Sequence, residues 1–291
     1  MPETDATPTA ATPTEPTPTE TTALLSSVTV VVLGAGNMGG AFLRAARAAG
    51  LPAERAVVVN RSEESSRRAA DALEATAGTW DDIARADVLV LGVKPYQLDT
   101  VLPQVAERLA AGTHVVSLAA GATLAFLKEG LGGHAALTRA MPNTPMAIGE
   151  GVTALMHTDG VSAEQRERLE ALLSASGVVE EIPEGQVHAI IGAAGSAPAF
   201  FFAVMEAMVD EAVRQGLPRE LAARAVAQSA RGAGSLMLER GEHPAVLRAA
   251  ISSPGGTTAE GVAALERAGV RPGIAAAMEA AARRSREMAG E

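Results

Sequence analysis

The chain has 291 residues, 47% of them hydrophobic, a formal net charge of −10 at pH 7 and no cysteine. That length supports two domains with cores of their own, the charge excludes a nucleic-acid surface, and the lack of thiols excludes disulfides, thiolate zinc sites and a cysteine nucleophile. Five scattered histidines without ligand spacing give no metal centre, and no apolar run reaches the roughly 20 residues that would make membrane association an expectation.

Residues 1–27 are mostly Thr, Pro, Ala and Glu, with no basic start and no apolar stretch. They read as a disordered tail rather than a secretory signal, and a cytoplasmic location is expected. From Val28 to Leu33 the residues are β-branched and aliphatic, the pattern of a strand buried on both faces. Glycines follow, then a helix over Phe42–Ala49 stopped by Gly50 and Pro52. Further strands are predicted at 56–60, 87–93, 115–118, 135–139, 152–156 and 178–182. Helices are predicted from Ser62, over Leu98–Leu109, and from Ser162 to Ala175. Strands alternating with helices predict an α/β fold, a mostly parallel Rossmann sheet covered on both faces, over residues 28–185.

After Gln186 the strand patterns stop. Helices are predicted over 187–215, 219–240, 244–250, 258–268 and 273–288, an all-α domain spanning 186–291. Ala199–Val213 is apolar around much of its circumference, which places it in a large core or against a second subunit. A homodimer is the expectation.

The sequence Gly34-Ala35-Gly36-Asn37-Met38-Gly39 lies directly between a strand and a helix. In that context it is a dinucleotide phosphate cradle: Gly34 for the tight turn, Gly36 for backbone approach to a pyrophosphate, Gly39 for helix–strand packing. The second strand ends in Asn60-Arg61-Ser62, where an NAD site usually carries Asp or Glu. No carboxylate stands there to repel a 2′-phosphate, and Arg61 is suited to bind one, so NADPH is predicted over NADH. Gly92, Val93, Lys94 and Pro95 end another strand and suit the nicotinamide half. Arg139-Ala140-Met141-Pro142-Asn143-Thr144-Pro145 reads equally as a stiff connection or as a ligand contact.

Ser252-Ser253-Pro254-Gly255-Gly256-Thr257-Thr258 supplies hydroxyls, glycines and a fixed proline turn before a helix. Thr257 or Thr258 would cap that helix. The N–H groups of Gly256, Thr257 and Thr258 would hold a carboxylate without a charged side chain.

Together with Val93-Lys94-Pro95, the Arg139–Pro145 stretch and Gly195-Ser196-Ala197-Pro198-Ala199-Phe200, these motifs resemble the pyrroline-5-carboxylate reductase family over nearly all of residues 28–288. Ala197 stands where that family has glycine. The resemblance implies reduction of (S)-1-pyrroline-5-carboxylate to L-proline, the last step of proline biosynthesis. It also implies an interlocked homodimer, often built into larger rings, with each active site drawn from two subunits. It makes Thr258 the candidate for contact with the imine nitrogen, the N–H groups of Gly255, Gly256 and Thr257 the carboxylate holders, and Ser253 their support. The rival β-hydroxyacid dehydrogenases rely on a lysine in the second domain, but this chain has only Lys94 and Lys128, and its single tyrosine is Tyr96. A reductase of another cyclic imine and a non-catalytic NADP-binding regulator are the alternatives.

Overall fold

The structure, a computed structural model, describes residues 18–290. Eight strands form one sheet: β1 (Val30–Leu33), β2 (Ala56–Val59), β3 (Thr76–Ala77), β4 (Val88–Leu91), β5 (His114–Ser117), β6 (Leu137–Pro142), β7 (Gly151–His157) and β8 (Gly177–Glu181). Their order across the sheet is β3-β2-β1-β4-β5-β6-β7-β8. Every neighbouring pair is parallel except β6 with β7. The link from β6 to β7 holds only the short turn Thr144–Ile148, too little chain for a parallel crossover, so β7 returns antiparallel.

Side chains alternate across the strands. Val30, Val32, Val58 and Val90 face a core closed by Phe42, Leu43 and Leu172. Val31, Leu33, Val57 and Leu91 face a second core closed by Leu98, Leu102 and Leu127. The helices supplying these layers are α1 (Pro18–Leu25), α2 (Asn37–Ala48), α3 (Glu63–Leu73), α4 (Leu98–Ala106), α5 (Leu124–Gly130) and α6 (Ala163–Leu173). Each fully buried leucine or phenylalanine contributes about 1.5–3 kcal/mol.

Two expectations are corrected here. The tail predicted to be disordered through residue 27 ends in α1, because Leu25 is 0% exposed in the first core and Thr21 is buried with it. The rest of that tail, residues 1–17, lies outside the described residues. The absence of a long apolar stretch also fails: Glu184–Arg214 is 31 residues with a mean hydropathy of 1.7 in its most apolar part, long and apolar enough to cross a bilayer. Alanines, glycines and serines stand between the larger apolar residues of this stretch.

Beyond β8 the chain is helical: α7 (Val187–Ile190), α8 (Ala197–Arg214), α9 (Arg219–Arg240), α10 (Pro244–Ala250), α11 (Thr257–Arg267) and α12 (Val270–Ala289). A π-helical turn over Ile191–Gly195 separates α7 from α8, marked by the Ser196 N–H donating to the Ile191 carbonyl at 2.7 Å. Along α8 to α11 only Ala222 and Val226 are buried. Phe201, Phe202 and Leu238 are 62%, 66% and 74% exposed. So large an uncovered apolar face marks an interaction surface.

At the end of the sheet where β5 and β6 begin, a buried polar chain runs inward from the surface. Arg166 pairs with Glu181 at 2.8 Å, and Glu181 with His157 at 3.0 Å. The Thr138 hydroxyl bridges His157 Nδ1 and His114 Nε2, each at 2.6 Å. Burial, with lesser effects of His157 and Arg168, pushes His114 down to about 3. Burial likewise lowers His157, against the opposing pull of Glu181.

Candidate active site

Strand order reverses direction at β1 and β4, and open α/β sheets bind ligands beyond the carboxyl ends of strands at such a point. A cleft of about 920 Å³ lies there. Its floor is the turn from β1 into α2. Gly34 has φ +94°, and a Cβ on it would stand 2.8 Å from the Val93 backbone nitrogen. A Cβ on Gly39 would clash with the Gly34 carbonyl oxygen, well inside van der Waals contact, whereas one on Gly36 meets no protein atom within 4 Å. The first two glycines therefore serve packing, and Gly36 leaves open space beside the cleft. Gly36 is the N-cap of α2 without a side-chain cap, so the first N–H groups of that helix stay available to an anion. The cradle fits a dinucleotide pyrophosphate.

Asn60 ties this turn to the next strand. Its Oδ1 accepts the Ala35 N–H at 2.9 Å, its Nδ2 donates to the Ser65 carbonyl at 3.0 Å, and its own N–H donates to Ser66 Oγ at 2.9 Å. Both ends of the amide are committed, so Asn60 shapes the turn. Ser62, where the sequence starts the helix, caps α3 in a reciprocal box with Ser65.

Of the residues the sequence assigns to the cofactor, Gly34, Gly36, Asn60, Arg61, Ser62, Val93 and Lys94 border the cleft. Ala35, Asn37, Met38, Gly39 and Pro95 stand beside them in the chain without bordering it. The cleft also exposes Ser65, Arg68, Trp80, Tyr96 and Gln104, which sequence reasoning passed over. The available signal was spacing: Ser65 and Arg68 are three residues apart, hence on one helix face.

The Ser252–Thr258 turn joins α10 to α11. Gly255 has φ +69°, and a Cβ on Gly256 would stand 2.6 Å from Ser253 Oγ. Two expectations change. The N-cap of α11 is Gly256, not a threonine, and the Gly256 N–H is spent on the Ser253 carbonyl at 3.0 Å. The turn closes on itself through that bond. The donors left over are the N–H groups of the first helical turn, from Thr257 and Thr258 onward. None of Ser253, Gly255, Gly256, Thr257 or Thr258 borders the cofactor cleft of the same chain.

The Arg139–Pro145 stretch meets the start of the helical part. Arg139, 2% exposed, pairs with Glu184 at 3.0 Å. Asn143 accepts the Val152 N–H at 2.9 Å and donates to the Ala194 carbonyl, in the π turn, at 3.1 Å. The stretch therefore locks the end of β6 onto the entry to the helical part.

Residues 184–288 match the family model described as pyrroline-5-carboxylate reductase dimerisation, and residues 29–121 match one described as NADP oxidoreductase coenzyme F420-dependent. The pyrroline-5-carboxylate reductase of Corynebacterium melassecola is 37% identical over 265 residues, covering 89% of this chain and 98% of the relative. That of Synechocystis is 42% identical over 206 residues, 70% of this chain and 75% of the relative. Among solved structures, a pyrroline-5-carboxylate reductase from Coxiella burnetii superposes with a TM-score of 0.84 at 31% identity, covering 90% of this chain and 99% of that one. The Plasmodium falciparum enzyme with NADP bound gives 0.81 at 25% identity, covering 91% and 99%. With the phosphate cradle, the closed Ser252–Thr258 turn and these relatives in agreement across both parts of the molecule, the chain belongs to the pyrroline-5-carboxylate reductase family.

Proposed function

We propose that the chain reduces (S)-1-pyrroline-5-carboxylate to L-proline, with NADPH preferred over NADH, at a site shared between two subunits. Family membership makes it an NAD(P)H-dependent oxidoreductase acting on an imine bond in proline biosynthesis. The observation that carries the NADPH preference is Arg61 at the end of β2, in a cleft that no Asp or Glu among the described residues borders. A charge-assisted hydrogen bond to a 2′-phosphate contributes about 1.5–3 kcal/mol, a roughly 10- to 150-fold preference.

We take residues 28–185 as the dinucleotide-binding unit and 186–291 as the substrate and dimerisation unit. The uncovered face of α8 to α11, with Phe201, Phe202 and Leu238, supports an interlocked homodimer, and a ring of dimers extends the same reading. In it the apolar Glu184–Arg214 stretch is covered by the second subunit rather than by a membrane. The separation of the Ser252–Thr258 turn from its own chain's cleft is what a site completed by a second chain requires.

The bound nicotinamide supplies the hydride. The chain's residues supply the rest. The N–H groups of Thr257 and Thr258, backed by the α11 dipole, hold the substrate carboxylate. Ser253 and Gly255 keep the turn in shape. The Thr258 hydroxyl donates to the imine nitrogen and is re-protonated from water, since an alcohol is too weak an acid to act alone. The test is oxidation of reduced nicotinamide with 1-pyrroline-5-carboxylate, run with NADPH and NADH in parallel. Turnover favouring NADPH supports the proposal. Tight NADPH binding without turnover on this imine overturns the substrate and leaves the cleft assignment standing.

A further inference from the structure

Three arginines, Arg61, Arg67 and Arg68, follow the end of β2 within nine residues. The structure treats them differently. Arg67 is bonded to Glu63 one helical turn earlier and does not border the cleft. Arg61 and Arg68 both border it, both are exposed, and neither has an ion-pair or hydrogen-bond partner among the described residues.

The neutral groups around them are already committed. The Ser62 hydroxyl donates to Ser65 Oγ at 3.0 Å, and the Ser65 hydroxyl donates to the Ser62 carbonyl at 2.8 Å. Both protons are spent on the cap of α3. The Asn60 amide is spent on Ala35 and Ser65. Neither Glu63 nor Glu64 reaches the cleft. The charged side-chain donors left at this end, among the described residues, are two guanidinium groups.

We propose that Arg68 is a specificity-determining residue of this cleft, sharing with Arg61 the dianionic 2′-phosphate that distinguishes NADPH from NADH. The inference rests on the assignment of Arg61 given above and deepens it. A phosphate monoester near neutral pH carries nearly two charges and three acceptor oxygens, which one guanidinium does not saturate. Arg68 lies three residues after Ser65, so the helix turns it to the cleft side. Arg67 is turned toward Glu63, four residues earlier. Ser62, assigned to the cofactor on sequence grounds, becomes the element that aims α3 rather than a phosphate donor.

The test uses binding, not turnover. Trp80, the single tryptophan, borders the same cleft and reports NADPH and NADH binding by its fluorescence. Arg61→Gln, Arg68→Gln and, as a control, Arg67→Gln are titrated with both dinucleotides. The expected result is a roughly tenfold or larger rise in the Kd for NADPH with Arg68→Gln, less than about twofold for NADH, and no change with Arg67→Gln. An Arg68→Gln variant with the NADPH-to-NADH ratio of the parent overturns the inference. If Arg61→Gln changes that ratio in the same series, the assignment of Arg61 survives. If Arg61→Gln also leaves it unchanged, that assignment falls as well.

Discussion

Arg139 and Glu184 face each other across the joint between sheet and helices, guanidinium to carboxylate at 3.0 Å, and the same Glu184 oxygen accepts the Leu124 N–H at 2.8 Å. One carboxylate oxygen thus ties the middle of β6, the start of α5 and the entry to α7. The Arg139 Nε and Nη2 atoms are buried without a partner, so the cation depends on this single contact. Removing one partner of a buried pair costs roughly 3–5 kcal/mol, and the water-facing side of Glu184 places this pair at the lower end. Glu184→Gln is expected to lower the urea midpoint strongly, and adding Arg139→Met is expected to restore much of the loss. Additive losses in the double-mutant cycle would mean that the two side chains are not coupled.

Gly36 and Gly39 are three residues apart in one motif, yet their substitutions should fail in opposite ways. Gly36→Ala adds a methyl group to open space. It should keep the parental Tm while weakening NADPH binding. Gly39→Ala drives a methyl group into the Gly34 carbonyl and should lower Tm by several degrees before any cofactor is added. Thermal unfolding with and without NADPH separates the two. Equal Tm losses would remove the distinct role of Gly36.

The Thr258 hydroxyl stands in the first turn of α11 with no partner among the described residues. Thr258→Ala is therefore expected to leave Tm and the Kd for NADPH unchanged and to lower kcat by roughly 10²-fold. Thr258→Ser should recover most of it. An unchanged kcat in Thr258→Ala would reduce this residue to a helix position.

The His114–Thr138–His157 chain makes stability sensitive to acid. His114 is held at about 3 in the fold against 6.5 without it. Below pH 6.5 the unfolded chain binds a proton that the folded chain refuses. The contribution is therefore complete above 6.5 and drains away as the pH falls toward about 3, by up to about 1.4 kcal/mol per pH unit for one proton. Urea midpoints measured at falling pH should show that slope, and His114→Gln should flatten it. An identical pH profile in the variant would place the acid sensitivity elsewhere.

The strands and the long helices were legible because their signals are local: the valine runs of β1 and β2, the Ser62 and Ser162 caps, the glycine turn before α2. What escaped depends on partners far along the chain. Leu25 looks like part of a polar tail until the core that receives it exists. Arg139 reads as a polar residue ending a strand until Glu184, 45 positions later, arrives beside it. Arg68 sits in a charged helix like any solvated residue, and only the direction of α3 brings it to the cleft. In the Ser252–Thr258 turn the residue types were right, but the Gly256 N–H was assigned to a ligand when the turn itself consumes it.

The π turn over Ile191–Gly195 holds one more residue than an α-helical turn would. Each residue of an α-helix accounts for about 100° of rotation. The π turn covers nearly the same arc with its extra residue, so the surplus is absorbed within the turn itself. Deleting a single alanine there would close it to ordinary α geometry and leave Phe201 and Phe202 facing much as they do now, whereas a deletion beyond Ser196 would rotate every later residue of α8 by about 100°. The turn is thus a place where the chain tolerates a change of length without re-aiming the apolar face.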